Sequence, residues 1–250
     1  MHIQLIRSAT LRITYAGHVF LIDPYFAAKH SLPSYAGNSP NPLVDLPIPP
    51  QEVLTDIEMV IVSHLHSDHF DQAARAVLAR DLPIFCQPGD QALIADYGFL
   101  HVTPIEQSVV WHGITITRTP AQHGKGDVLA DMGHVSGFLF QHAKEPTLYW
   151  AGDTIWYDGV QQTIEQVHPD VIVTHSCGAT WKQGGYIVMD AEQTIAVCQA
   201  APRSVVVATH MDSVDHATIS RIDLRTVARE HNIHDAYLLI PQDGETLIFE

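Results

Sequence analysis

The sequence predicts an α/β layered fold, because apolar β-branched runs alternate with helical patterns along its 250 residues. Several of those runs end in a histidine or an aspartate, so aligned strands would bring polar side chains to one sheet edge, where ligands commonly bind. No internal repeat, low-complexity tract or linker interrupts the pattern. Residues 1–250 therefore read as a single domain, long enough to bury a sizeable core.

The opening reads as three strands, His2–Arg7, Leu11–Tyr15 and Val19–Asp23, with a turn at Ala16-Gly17-His18 before the last. From Pro24 to Pro50 the chain is rich in Pro, Asn, Ser and Gly and carries two tyrosines and a phenylalanine. A loop of that length is uncommon in a compact domain, and it reads either as a flap over a pocket or as a plain surface excursion. Met59–Ser63 is a strand leading to His64, and Asp71–Ala79 is Ala-rich and free of helix breakers. Ile114–Arg118 leads through a short connection to His123, and Thr147–Gly152 leads to Asp153. Val171–Thr174 leads to His175, and Val205–Thr209 leads to His210. Such apolar runs suit strands buried on both faces. Asp190–Ala200 opens with a capping-box-like Asp190 and Gln193, and Ala217–His231 has helical spacing.

Composition narrows the function. A hydrophobic content of 46% argues against disorder. Net charge is −15, with 28 acidic against 13 basic residues and no Lys/Arg cluster, a balance that repels phosphate backbones and argues against a nucleic-acid partner. No apolar run is long enough to span a bilayer, and Met1–Arg7 lacks the pattern of a signal peptide. The expected location is the cytoplasm, with no membrane partner. Cys86, Cys177 and Cys198 are widely spaced and form no C-x-x-C pair, so they read as buried apolar residues. Histidine, at 17 copies, is the residue that needs explaining.

The sharpest signal is His64-Leu65-His66-Ser67-Asp68-His69, which follows a strand directly. Three imidazoles and a carboxylate in six residues form a dense set of N/O donors suited to zinc and other first-row metals. Chance gives such a match in about one sequence of this composition in 200. On a tight loop the first His pair can serve one ion while Asp68 and His69 serve a neighbour, and the remaining ligands must come from elsewhere.

Ser63 to His69 resembles the signature of the metallo-β-lactamase superfamily. Leu21-Ile22-Asp23-Pro24-Tyr25-Phe26, Gly152-Asp153-Thr154 and Thr209-His210-Met211-Asp212 extend the likeness over nearly the whole chain. The combination is similar to the bacterial branch that includes L-ascorbate-6-phosphate lactonase. That resemblance implies a four-layer αββα sandwich with a two-metal site on one edge. It implies that His64, His66 and His123 hold a first ion, that Asp68, His69 and His210 hold a second, and that Asp153 bridges both. His175, Asp212 and His216 are candidates for a substrate pocket, and Asp23 for orienting ligand histidines from behind. Asp190 reads as a helix N-cap.

The expected cofactors are two divalent ions, Zn first, with Mn or Fe as alternatives. Two such ions about 3.5–4 Å apart can share a hydroxide and polarise the group it attacks. Asp68 and Asp153 are the candidate catalytic carboxylates. The expected activity is hydrolysis of a small-molecule ester or lactone, with a small phosphodiester as the alternative. A di-iron redox protein and a non-catalytic metal-binding protein on the same fold are the competing classes. The redox branch typically carries Glu where this chain has His66, and a degenerate scaffold would not keep a complete ligand set. Homo-oligomerisation is left open by the sequence.

Overall fold

Backbone hydrogen bonding follows the β-branched runs closely in the computed structural model, which describes residues 1–182 and 184–250. The first half comprises β1 (His2–Arg7), β2 (Thr10–Tyr15), β3 (His18–Ile22), α1 (Pro50–Val53), β4 (Met59–Val62), α2 (Gln72–Val77), β5 (Ile84–Cys86), α3 (Gln91–Asp96) and β6 (Val102–Pro104). The second comprises β7 (Ser108–Trp111), β8 (Ile114–Pro120), α4 (Val128–Met132), β9 (Ser136–Gln141), β10 (Leu148–Trp150), α5 (Asp158–Val167), β11 (Val171–His175), α6 (Ala191–Ala200), β12 (Val205–Thr209), α7 (Arg221–Glu230) and β13 (Leu238–Leu239). The final strand, β14 (Thr246–Ile248), returns to the first half.

Among the described residues these strands form two seven-stranded mixed sheets, β14-β1-β2-β3-β4-β5-β6 and β13-β12-β11-β10-β9-β8-β7. In the first, β3 to β6 run parallel; in the second, β10 to β13 do. The sheets pack face to face over Leu5, Ile13, Phe20, Phe138, Phe140 and Trp150, with Phe20 stacked on Phe140 at 5.2 Å between ring centroids. The Tyr15 hydroxyl crosses this layer to donate to the Phe140 and Pro146 carbonyls. The outer face of the first sheet is covered by a cluster that includes Val53, Ala74 and Ile94, from α1, α2 and α3. On the second sheet Val160, Ile195 and Leu224, from α5, α6 and α7, do the same. The result is the expected αββα sandwich. Fully burying each large apolar side chain here stabilises the fold by about 1.5–3 kcal/mol.

Three expected boundaries shift. The third strand ends at Ile22, because Asp23 turns into the left-handed region at φ 48° to face the site. The last helix starts at Arg221 and not at Ala217, because Ser220 is its N-cap in a full capping box with Asp223. Residues 218 and 219 instead donate backbone N–H groups to the Cys177 carbonyl. The Ala-rich helix stops at Val77, where Leu78 adopts an extended conformation. Asp190 is an N-cap as expected, accepting from the Gln193 amide. The three cysteines are unpaired and buried. No helix among the described residues is long and apolar enough to cross a membrane.

Candidate metal centre

Every expected metal ligand sits just beyond the C-terminal end of a strand. The turn after β4 carries His64, His66, Asp68 and His69, tightened by the His69 and Phe70 amides donating to the His66 carbonyl. From the second sheet, β8 delivers His123, β10 delivers Asp153 and β12 delivers His210. Gly152 makes the Asp153 turn possible at φ +70°: a Cβ there would lie 2.7 Å from the Trp150 ring and 2.9 Å from the Ser136 carbonyl. His210 holds φ 63°, a conformation that costs about 1–3 kcal/mol and persists only where the surroundings impose it.

The side chains converge. Asp153 Oδ2 lies 3.2 Å from His69 Nε2, 3.2 Å from His123 Nε2 and 3.8 Å from His64 Nε2. His210 Nε2 is 3.3 Å from His69 Nε2 and 3.5 Å from Asp68 Oδ2. Donor atoms of His64, His66, His123 and Asp153 all lie within 4.8 Å of one another, and so do those of His69, Asp153, His175 and His210. All but half-buried His66 are buried.

The outer ring nitrogens explain why the inner ones face one another. His123 Nδ1 donates to the Ile187 carbonyl at 2.7 Å, and His69 Nδ1 donates to Asp23 at 2.7 Å. Ser63 spends its hydroxyl hydrogen on Asp23 at 2.6 Å, so His64 Nδ1 must donate to Ser63 Oγ at 2.9 Å. In each ring Nδ1 carries a proton to an outer partner, which turns Nε2 inward. His64 Nε2 is buried with no hydrogen-bond partner among the described residues. A buried convergent donor set with one imidazole nitrogen left without a partner fits a bound cation. Asp23, itself fully buried, therefore orients two candidate ligands, His69 directly and His64 through Ser63. Asp23→Ala is expected to weaken metal affinity about 10- to 100-fold. Metal titration of the two proteins, with unchanged affinity as the contrary result, checks it.

Electrostatics agree. Burial pushes the Asp153 carboxyl up, but His69 and His123 outweigh it and hold the group well below the usual carboxylate range. Burial holds the His123 imidazole down at about 4, and it holds His64 well below the usual imidazole range with help from His69 and His66. Burial pulls the same way on His69, but Asp153 and Asp23 push its imidazole up to about 10, and Cys177 and Asp68 likewise raise His210 well above the usual imidazole range. His64 and His123 are thus neutral and ready to bind a cation, whereas His69 and His210 would release a proton on binding one.

Beside this cluster lies a cavity of about 260 Å³. Asp68, His66, His123 and Asp153 form its floor, and Tyr35, Met132, Trp181, Ile187 and His216 are among its walls. No Lys or Arg lines it among the described residues. Of the three residues expected in a substrate pocket, His216 lines it and the other two do not. His175 is fully buried behind Asp153, with Nδ1 on Asp153 Oδ1 and its ring edge-on to Trp150. Asp212 is turned away by Arg221, whose guanidinium it holds at 2.9 Å. Sequence reading missed Tyr35, Met132, Trp181 and Ile187, which come from separate loops and short elements with no shared pattern. It also missed Asp215, which binds the loop carrying Tyr35. The only sequence signal for that loop was its unusual length.

The sandwich and its edge cluster define a metal-dependent hydrolase of the metallo-β-lactamase type. The model of the beta-lactamase superfamily domain matches residues 18–211. The UPF0173 protein YddR of Bacillus subtilis (strain 168) is 36% identical over 255 residues, covering 100% of both chains. A solved structure described as a possible metal-dependent hydrolase, from Veillonella parvula, superposes with a TM-score of 0.95 at 34% identity, covering 99% of this chain and 98% of that one. The isothiocyanate hydrolase from Delia radicum gut bacteria superposes equally well, TM-score 0.95 at 35% identity over 100% and 99% of the two chains. The chain belongs to the UPF0173 family of metal-dependent hydrolases within the metallo-β-lactamase superfamily.

Proposed function

We propose that the centre hydrolyses a small uncharged carbon electrophile, with an isothiocyanate as the class that fits best. The observation that carries this reading is the cavity itself: about 260 Å³, walled by Trp181, Met132 and Ile187, open to Asp68 and Asp153, and with no Lys or Arg lining it among the described residues, Lys182 being paired with Asp131 of the wall. A phosphoester would bring negative charge into a site whose described lining carries no Lys or Arg to receive it, Lys182 being already engaged by Asp131. The 35% identical relative described as an isothiocyanate hydrolase supports the same class. An ester or lactone of similar size presents a comparable carbon and remains the second arm of the assay.

His64, His66 and His123 would hold one ion, Asp68, His69 and His210 a second, with Asp153 between them. Bound divalent metal supplies a water nucleophile at neutral pH and polarises the electrophile. The chain's own groups do the rest. Asp153 presents Oδ2 to the imidazoles while His175 holds Oδ1, so the carboxylate cannot rotate away. Asp68 lines the cavity, and it is held below the usual carboxylate range by His210 and His69 against the opposing effect of burial. Ionised, it can take a proton from the attacking water and return it to the leaving nitrogen. Trp181 and Met132 shelter the substrate's apolar tail. The balance is R–N=C=S plus water giving a thiocarbamic acid, which breaks its C–N bond to release the amine and carbonyl sulfide.

The test is a panel of isothiocyanates, lactones, thioesters and phosphodiesters assayed after loading with Zn, Mn or Fe. Isothiocyanate turnover is expected to exceed phosphodiester turnover by about 100-fold or more, as a site without charge complementarity to phosphate should discriminate by several kcal/mol. Faster phosphodiester cleavage would sink the reading, and a lactone preference would move it to the second arm.

A further inference from the structure

Asp215 accepts six hydrogen bonds on its two carboxylate oxygens. It is 8% exposed, in a buried stretch with Ser213, Val214 and His216. Its two oxygens accept from four backbone amides: Tyr35 at 2.8 Å, Ala36 at 3.1 Å, Asn38 at 3.2 Å and Ser39 at 3.3 Å. The Ser34 hydroxyl donates to it as well, and so does Asn41 Nδ2, at 2.8 Å. The backbone is tied too, with the Asp215 amide donating to Asn41 Oδ1 at 2.8 Å and Asn38 Nδ2 donating to the Asp215 carbonyl at 3.3 Å. Residues 34–41 are thus wrapped around one carboxylate donated from 174 or more positions away.

The consequence reaches the cavity. Tyr35, whose amide is among those donors, hydrogen-bonds Ser67 through its hydroxyl at 2.7 Å and packs edge-on to His216, centroids 5.0 Å apart. Tyr35, Ser67 and His216 all line the cavity, and His216 follows Asp215 directly. We propose that Asp215 is the positioning residue of the substrate cavity: it fixes the 34–41 loop as a preformed wall and so places the Tyr35 hydroxyl and the His216 ring against the bound substrate. This inference rests on the cavity being the substrate site, as argued above. Loop closure is then not a step the substrate must drive, because the buried anion has already ordered the segment.

Two measurements test it on the metal-loaded protein. The first is amide hydrogen exchange. In Asp215→Ala the amides of Tyr35, Ala36, Asn38 and Ser39 are expected to exchange about 100-fold faster or more, while those of β12 keep their rates and metal content is unchanged. Ser34→Ala, which removes one donor and leaves the carboxylate in place, should loosen the same amides less, and it serves if Asp215→Ala does not fold. The second is kinetic, on whichever probe of the panel the wild-type protein turns over. Asp215→Ala is expected to lower kcat/KM about 10- to 100-fold, as misplacement of a wall by about 1 Å does. Adding Tyr35→Phe should then cost less than about twofold more, because both changes remove the same contact. Independent, multiplying losses would overturn the positioning role, and unchanged loop exchange in both variants would overturn the anchor. A wild-type protein inactive on the whole panel would sink the proposed reaction, and the exchange rates would still decide the anchor.

Discussion

Asp153→Ala is expected to lower turnover on the order of 10³-fold or more, because it removes several kcal/mol of transition-state stabilisation tied to the metal centre. The argument is geometric. One oxygen of this carboxylate lies 3.2 Å from two imidazole Nε2 atoms contributed by different sheets, His69 and His123, and 3.8 Å from a third, His64. The other oxygen is held by His175. No neighbouring side chain can substitute, since Asp68 faces His210 on the far side of the cluster. The fold should survive, because Asp153 contributes to no apolar cluster and its turn is set by Gly152. Circular dichroism matching the wild type, together with lost turnover and reduced metal content, is the expected combination. Wild-type turnover with unchanged metal content would remove Asp153 from the mechanism.

Stripping the metal is expected to cost stability as well as activity. An ion that binds the folded chain at about a thousand times its dissociation constant adds about 4 kcal/mol. For a chain of this size each kcal/mol corresponds to about 2–4 °C, so chelation should lower Tm by about 8–16 °C. The structural reason is the crowding of His64, His69, His123, Asp153 and His210 in a buried site where His64 Nε2 has no partner of its own. Scanning calorimetry before and after chelation, and again after adding Zn, measures it. A Tm that does not move would mean that these donors contribute no binding energy to the fold.

Much of this was readable in the sequence, for physical reasons. The strand at residues 2–7 alternates apolar and polar residues, those at 59–62, 171–175 and 205–209 are apolar, β-branched runs, and the candidate ligands follow such runs because strand ends are where a layered fold exposes side chains to a shared edge. What escaped was built differently. β5 and β6 are three residues long, too short for any period to register. β9 is disguised by Gly137, which is needed because a Cβ there would meet Thr119 Oγ1 at 2.5 Å and the Ala151 carbonyl at 2.8 Å. α5 buries Val160, Thr163 and Ile164 at helical spacing, but its β-branched residues and Gly159 weaken the helical signal. The cavity walls were the least legible part. Tyr35, Met132 and Trp181 meet only through tertiary contact, and nothing local separates Asp215 from the other 27 acidic residues.

The origin of the ligands has a mechanical consequence. His64 to His69 hang from one sheet, whereas His123, Asp153 and His210 hang from the other. An ion held by both sets would therefore act as a clasp across the seam of the sandwich, and a slip of either half by a fraction of an ångström would spread these donors before any strand frayed. A substitution deep in the seam, at Phe20 or Phe140, should consequently register at the metal even though neither ring comes near it.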